Sequence, residues 1–371
     1  KRWCENSPGD RLKVALICNQ GDQCGIATYS QYLIDALRAK AEVRVFAEER
    51  NGEGYWRRGE SMIQCIKAVK DYAPDIVHVQ HEFGIFPRAT KFLKMLEMLQ
   101  NMPYVITLHS VYEHLDKTIC TAAMRNIICH SDKAKEILGQ LGHLGNIHVI
   151  KHGCVVQEDT SELWNIFHND YTIIQFGFGF SYKGADRAVD AINYLRNSDP
   201  KFKDIFYCYL CSENPHTQTV HEEYYNYLQK KIGGYGLQEN VVVLRGFMHD
   251  KILSNYLRTA KLAIFPYVNN PNNCVYGASG AVRIAMANGI PVIASESHLF
   301  DDLEGVVPRI DSAEALAKEI DHVFSDGGYR QSLIGKNMAF VRDHDWKATA
   351  DQHLDVYRQI IAKFRQGCVT G

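Results

Sequence analysis

The sequence has no apolar run approaching the roughly 18 residues that a membrane-spanning helix requires, and Lys1 to Asp10 contains no signal-peptide core. Blocks of like charge are absent too, so no basic nucleic-acid arm or polybasic membrane anchor is expected. The formal net charge of −2 gives nucleic acid no support as a partner, and only a basic groove on one face would revive it. The turn after the first strand lacks G-x-G-x-x-G, so no dinucleotide fingerprint is present. Zinc-finger spacing is missing as well. Cys208 and Cys211 form a C-x-x-C followed by His216 and His221, but the gap is short, and residues three apart on a strand face opposite sides. No metal ligand set is therefore assigned. The 11 cysteines are scattered, several in apolar runs such as Leu16-Ile17-Cys18 and Ile127-Ile128-Cys129. Such thiols act as small buried hydrophobes in a reducing compartment. This points to a cytoplasmic protein, with peripheral attachment to a membrane left open.

What is present is a long, ordinary globular composition. The 371 residues are 46% hydrophobic and 23% charged, too apolar for disorder and too long for one core. Strand-like runs at 13–18, 42–47, 75–80, 104–108, 126–129 and 147–153 alternate with helical patterns at 26–39, 62–72, 90–100 and 118–124. A polar stretch over 157–170 reads as a linker. Beyond it the alternation restarts, with strands at 171–176, 205–210, 241–244, 262–265 and 291–294. Helical patterns lie between them at 185–195, 222–232, 251–258 and 281–288, and another follows at 312–324. Strands alternating with helices at this spacing specify parallel βαβ units. The expectation is two doubly wound α/β domains facing across a cleft, 1–165 and 166–344. A last amphipathic helix within 345–371, with Ala350, Leu354, Tyr357 and Ile361 on one face, has no strand to follow and is expected to join the first domain.

Ligands of such sheets bind beyond the carboxyl ends of the strands. After the first strand, Gly21 to Tyr29 delivers glycine-permitted backbone into a helix start, where N–H groups and the helix dipole favour a phosphate or carboxylate. A tight turn whose glycines only permit close packing fits the spacing equally well. His81 and Glu82 follow the third strand and His109 the fourth, so one rim would gather two imidazoles and a carboxylate. In the second half, Gly177, Gly179, Lys183 and Gly184 after one strand, and Arg245-Gly246 after another, suit a diphosphate. Ser279-Gly280-Ala281 opens a helix that ends at Gly289 before a buried strand, a third place for phosphate oxygens.

In this order, these segments resemble a GT-B glycosyltransferase of the family 4 type. The resemblance is carried by Cys24-Gly25-Ile26-Ala27-Thr28-Tyr29, His78 to Phe86, Thr107-Leu108-His109-Ser110, Tyr182-Lys183-Gly184, Ser279-Gly280 and Gly289-Ile290-Pro291-Val292-Ile293. It runs through to Asp345-Trp346, followed by Leu354 and Tyr357, and so covers nearly the whole chain. It implies a retaining, metal-independent transfer of a sugar from a nucleoside-diphosphate sugar to a hydroxyl acceptor, with no bound cofactor. Gly25 would abut donor phosphate, and Lys183, Arg245 and the Ser279–Ala281 turn would hold the diphosphate. His109 would contact the transferred sugar, Glu82 would serve as acceptor-side base, and His81 and Thr28 are further sugar or acceptor contacts. Relatives carry glutamates where Tyr276 and Ile284 stand here, and a basic residue at Phe178, so the nucleotide's identity stays open. The acceptor (a glycan, lipid-linked sugar, small molecule or nucleic-acid base) and the oligomeric state are not defined by these residues. A sugar-nucleotide epimerase and a noncatalytic sugar-nucleotide-binding protein are the competing readings.

Overall fold

The computed structural model describes residues 11–20, 24–47, 62–156, 166–167, 169–213, 218–270 and 274–369. Most of the expected linker, Gly21 and His216 lie outside them. The chain divides into two units. One comprises Lys1–Gly153, Asn273–Ala278 and Trp346–Gly371; the other comprises Cys154–Asn272 and Ser279–Asp345.

The first unit holds strands β1 (Lys13–Cys18), β2 (Glu42–Ala47), β3 (Ile76–His81), β4 (Tyr104–Leu108), β5 (Ser110–Val111), β6 (Asn126–Cys129) and β7 (Asn146–Val149). Its helices are α1 (Gly25–Arg38), α2 (Ile63–Tyr72), α3 (Ala89–Leu99), α4 (Glu113–Ile119) and α5 (Asp132–Gln140). The second unit holds β8 (Thr172–Phe178), β9 (Phe206–Ser212), β10 (Val241–Arg245) and β11 (Leu262–Phe265). The chain then contributes β12 (Tyr276–Gly277) to the first unit, and returns for β13 (Val292–Ser295) and β14 (Arg309–Ile310). Helices α6 (Ala185–Ser198), α7 (Gln218–Gly234), α8 (Asp250–Thr259), α9 (Gly280–Ala287), α10 (Ala313–Ser325) and α11 (Gly327–Asp343) cover this second sheet, and α12 (Trp346–Val369) belongs to the first unit.

Each unit is built on a six-stranded parallel sheet, ordered β2-β1-β3-β4-β6-β7 in the first and β10-β9-β8-β11-β13-β14 in the second. Central strands such as β3 and β4 are buried at every residue, whereas the edge strand β2 alternates. That contrast is what helices on both faces of a parallel sheet impose. In each sheet the strand order reverses once, beside β1/β3 and beside β8/β11. The crevice at such a switch point is where α/β sheets hold ligands.

Three local outcomes depart from the sequence expectation. The helix expected over 118–124 forms earlier, at Glu113–Ile119, because Asp116 Oδ2 accepts from the Tyr112 N–H at 2.7 Å and fixes the first turn. Helices α5 and α11 were not anticipated. Ser131 caps α5 by accepting from the Ala134 N–H at 3.1 Å, and Asp326 caps α11 by accepting from Tyr329 N–H at 2.9 Å. The short β5–β12 pair, with Tyr276 opposite Val111 and Gly277 opposite Ser110, has no local signal at all.

Helix α12 buries the face expected of it: Ala350, Leu354, Tyr357 and Ile361 are all buried. Its first residue, Trp346, stacks on Tyr32 at 5.6 Å and fills the space over Gly153, where a Cβ would lie 2.6 Å from the indole. Among the described residues no helix is long and apolar enough to cross a membrane.

Candidate active site

In the second unit the switch point brings Lys183 and Ser279 to the same tyrosine. The β8 strand ends in a short turn at Ser181–Lys183, closed by Gly184 at φ 69°. A Cβ on Gly184 would stand 1.9 Å from the Pro266 carbonyl oxygen, so that position must be glycine. The turn is tied down from beneath. Buried Gln175 donates to the Lys183 carbonyl at 2.9 Å and accepts from the Tyr207 hydroxyl at 2.7 Å. Lys183 Nζ then sits 3.9 Å from the centre of the Tyr267 ring, a cation–π distance. The Tyr267 hydroxyl meets Ser279 Oγ at 3.3 Å.

Ser279 is held at two further atoms. Its N–H donates to Leu299 O at 3.1 Å, and its carbonyl accepts from Arg283 Nη1 at 2.8 Å. Arg283 is itself buried, hydrogen-bonded to the buried carboxylate of Asp302. Ser279 makes no side-chain cap to α9. The N–H groups around Gly280 and Ala281 thus open a helix whose dipole favours an anion. Gln175, Tyr267 and Arg283 escaped the sequence reading, because each acts through a partner distant in sequence.

Arg245 stands apart from this group. Its guanidinium is bonded to Glu213, lies 2.6 Å from Glu222 Oε2, and stacks over Tyr225 at 4.6 Å. Its charge is matched by two carboxylates, which hold it above its already high pKa. The C-x-x-C is as the strand period requires: Cys208 and Cys211 lie in different core clusters. Burial pushes their thiols up to about 12 and about 11, so neither is a thiolate at neutral pH. His221 Nδ1 bonds the Gly179 carbonyl at 2.9 Å.

In the first unit Gly25 and Thr28 are exposed at the start of α1. Cys24 caps that helix, its sulfur accepting from the Ala27 N–H and from Asn19 Nδ2. Tyr29, one turn on, packs edge-on against His109 at 4.6 Å. His109 is partly exposed, and its Nε2 meets Gln80 Oε1 at 2.8 Å. Behind it lies a buried layer of His78, His130 and His353 with Tyr357, in which His78 Nδ1 bonds the Tyr357 hydroxyl at 2.6 Å. Burial and the neighbouring imidazoles hold His109 well below the usual histidine range.

Glu82 and His81, adjacent in sequence, part company. The Glu82 carboxyl accepts from the Phe83 N–H at 3.1 Å and bonds the Ser110 hydroxyl, and burial raises its pKa. Nearby Asp116, raised to about 7 by burial, adds a second carboxyl. His81 instead turns into the core at zero exposure, its ring 5.4, 4.8 and 4.3 Å from those of Phe86, Phe83 and Phe92. Neither of its nitrogens has a partner. The structure does not bring His81 to the rim.

Comparison with known proteins accounts for both halves. Residues 24–158 match the family model described as Glycosyltransferase Family 4, and residues 171–326 the model described as Glycosyl transferases group 1. The first match contains Gly25, Glu82 and His109; the second contains Lys183, Arg245 and the Ser279–Ala281 turn. No curated protein matches the chain in sequence. Among solved structures, Anabaena HepE in complex with UDP and glucose is 14% identical, with a TM-score of 0.70 over 94% of this chain and 100% of that one. Sucrose-phosphate synthase from Thermosynechococcus elongatus is 18% identical, with a TM-score of 0.72 over 95% and 100%. Trehalose-6-phosphate synthase OtsA is 10% identical, with a TM-score of 0.74 over 94% and 99%. At such identities the likeness concerns the fold, and it is the family models that carry the chemistry. With one glycosyltransferase match in each unit and two switch-point sheets beneath them, the chain belongs to the GT-B glycosyltransferases of the family 4 type.

Proposed function

We propose that this glycosyltransferase moves a sugar from a nucleoside-diphosphate sugar to a hydroxyl acceptor, with retention of anomeric configuration and without a metal ion. The observation that carries the reading is the Lys183–Tyr267–Ser279 arrangement. One ammonium and one uncapped helix start, fixed by the same tyrosine, form a preorganised receptor for a departing diphosphate. Lys183 and the N–H groups of Gly280 and Ala281 stabilise the negative charge that grows on the leaving group, which is the work a metal does in other transferases. Gly25 approaches the donor phosphate, and His109 and Thr28 contact sugar or acceptor hydroxyls. Arg245, held by two glutamates, has a secondary place in this scheme. Retention follows when the acceptor attacks the face from which the diphosphate leaves, so positioning matters more than a protein nucleophile. Glu82, its carboxyl pKa raised by burial, takes the acceptor proton. The HepE structure holds UDP and glucose, which makes uridine diphosphate sugars the first donors to try.

A donor panel screened by thermal shift tests the reading, since a ligand that binds only the folded state raises its stability. UDP-glucose or another nucleoside-diphosphate sugar should raise the melting temperature, and mass spectrometry should detect transfer to an added acceptor. Product anomeric configuration by NMR and activity after chelation test retention and metal independence. No shift with any donor or free nucleoside diphosphate would sink the proposal.

A further inference from the structure

Arg309 lies on the edge strand β14, yet its side chain is only 8% exposed. Its guanidinium meets three backbone carbonyls of one loop that leaves β13. Nε donates to Ser295 O at 2.6 Å, Nη2 to Ser297 O at 3.1 Å, and Nη1 to Phe300 O at 2.9 Å. The charge is offset by the carboxylates of Asp301 at 3.4 Å and of Glu296 and Glu304 at 3.6 Å. Strand pairing does not call for this fork. The backbones of β13 and β14 join by themselves, with Ala294 opposite Arg309 and the Glu296 N–H donating to Ile310 O at 2.9 Å.

The clamped loop includes the short 3₁₀ helix His298–Leu303, and it props Ser279 in three ways. Leu299 O accepts from the Ser279 N–H at 3.1 Å. The Phe300 ring packs 4.8 Å from that of Tyr267, whose hydroxyl meets Ser279 Oγ. Asp302 bonds Arg283, which donates to the Ser279 carbonyl at 2.8 Å. Backbone N–H, carbonyl and hydroxyl of Ser279 are thus each traced to a residue that Arg309 holds in place.

We propose that Arg309 is a positioning residue for the turn that opens α9: its fork fixes the loop 295–303, and the loop fixes Ser279 so that the Gly280 and Ala281 N–H groups meet a diphosphate. The diphosphate rests on the function proposed above; the brace does not. Arg309 acts through Leu299, Phe300 and Asp302. The position calls for arginine because a planar fork presents several donors at fixed angles, whereas a lysine offers one nitrogen. Carbonyls left without a donor in a buried loop would pull it toward other partners. A receptor made of backbone N–H groups tolerates little displacement, so its supporting residues set its affinity.

Arg309→Lys keeps the charge and loses the fork, and Arg309→Met loses both. In each, UDP affinity should fall at least about 10-fold, the scale on which residues supporting a binding site act. Affinity for uridine, which lacks the phosphates, should stay unchanged, whereas general damage to the fold would weaken both ligands alike. Titration calorimetry and ligand-observed NMR measure the two. Equal losses for UDP and uridine, or an unchanged UDP affinity, would overturn the proposal. If the wild type binds no UDP, the donor reading fails and amide hydrogen exchange tests the brace alone. In Arg309→Lys the Ser279 amide should exchange at least about 10-fold faster, while Ala263 in the central strand β11 keeps its protection. Unchanged exchange at Ser279 would refute the brace. Should neither variant fold, exchange in the wild type decides. The amides of Ser279 and Phe300, which donate to Leu299 O and Ser297 O, should open together with one free energy. Two separate openings would refute the coupling.

Discussion

Lys183 places its ammonium 3.9 Å from the centre of the Tyr267 ring. The ring holds the charge without neutralising it, so the ammonium stays available to a diphosphate. Hydrogen bonds to charged groups contribute about 1.5–3 kcal/mol, so Lys183→Ala should weaken UDP binding by roughly 10- to 100-fold. Tyr267→Phe keeps the aromatic face and loses only the contact to Ser279, so its effect should be the smaller. Calorimetric dissociation constants for the two variants test that order, and an unchanged value for Lys183→Ala removes the lysine from the site.

His109 and Glu82 should affect turnover more than donor affinity. His109→Ala is expected to lower kcat about 100-fold with a donor KM altered only several-fold. Glu82→Gln should leave UDP binding intact and suppress transfer. A base with a raised pKa is inactive while protonated, so the wild-type rate should climb with pH through that raised carboxyl pKa. The climb should be missing from Glu82→Gln. Steady-state rates across pH, with donor affinity measured in parallel, separate these outcomes.

Arg283 and Asp302 form a pair in which both side chains are about 1% exposed. Removing one partner strands a buried charge, so Arg283→Met or Asp302→Ala should each cost about 3–5 kcal/mol. Replacing both with apolar residues should recover much of the loss. Because Arg283 also bonds the Ser279 carbonyl, the double variant should regain stability in urea unfolding yet still bind UDP less well than wild type.

His81 makes the fold acid-sensitive. Its pKa is lowered from 6.5 to about 3 by burial, so the folded chain resists a proton that the unfolded chain accepts. This contribution is present above pH 6.5 and is lost as pH falls from there toward 3. At pH 5.5 the loss is about 1.4 kcal/mol from this residue. His81→Leu also removes two unsatisfied nitrogens. It should match or exceed wild-type stability at neutral pH and lose less of it at pH 5.5, as read from denaturation midpoints.

Both sheets could be read from the sequence because their strands are marked by local patterns: runs such as Lys13–Cys18 and Leu262–Phe265 are continuous and apolar, as strands buried on both faces must be. Helices α5 and α11 were missed where the signal was a single capping side chain, Ser131 or Asp326, on a weakly patterned segment. The site divides in the same way. Gly25, His109, Lys183 and the Ser279 turn could be singled out because strand-to-helix junctions declare themselves by glycines and polar residues at fixed offsets.

What the sequence determined by itself, then, was the order of βαβ units and the junctions that carry the candidate site residues, since both follow from periodicities of two and 3.6 residues. Only the tertiary structure decided which of those residues act together. His81 and Glu82 are neighbours in the chain, yet one is sealed among phenylalanines and the other is hydrogen-bonded to Ser110. Lys183 and Ser279, nearly a hundred positions apart, meet through Tyr267. Arg245, cationic like Lys183 and the last residue of its strand, is taken by Glu213 and Glu222. The reason is physical: side-chain partners are set by strand order, register and burial, and these arise when distant segments pack, not from the spacing of residues along the chain.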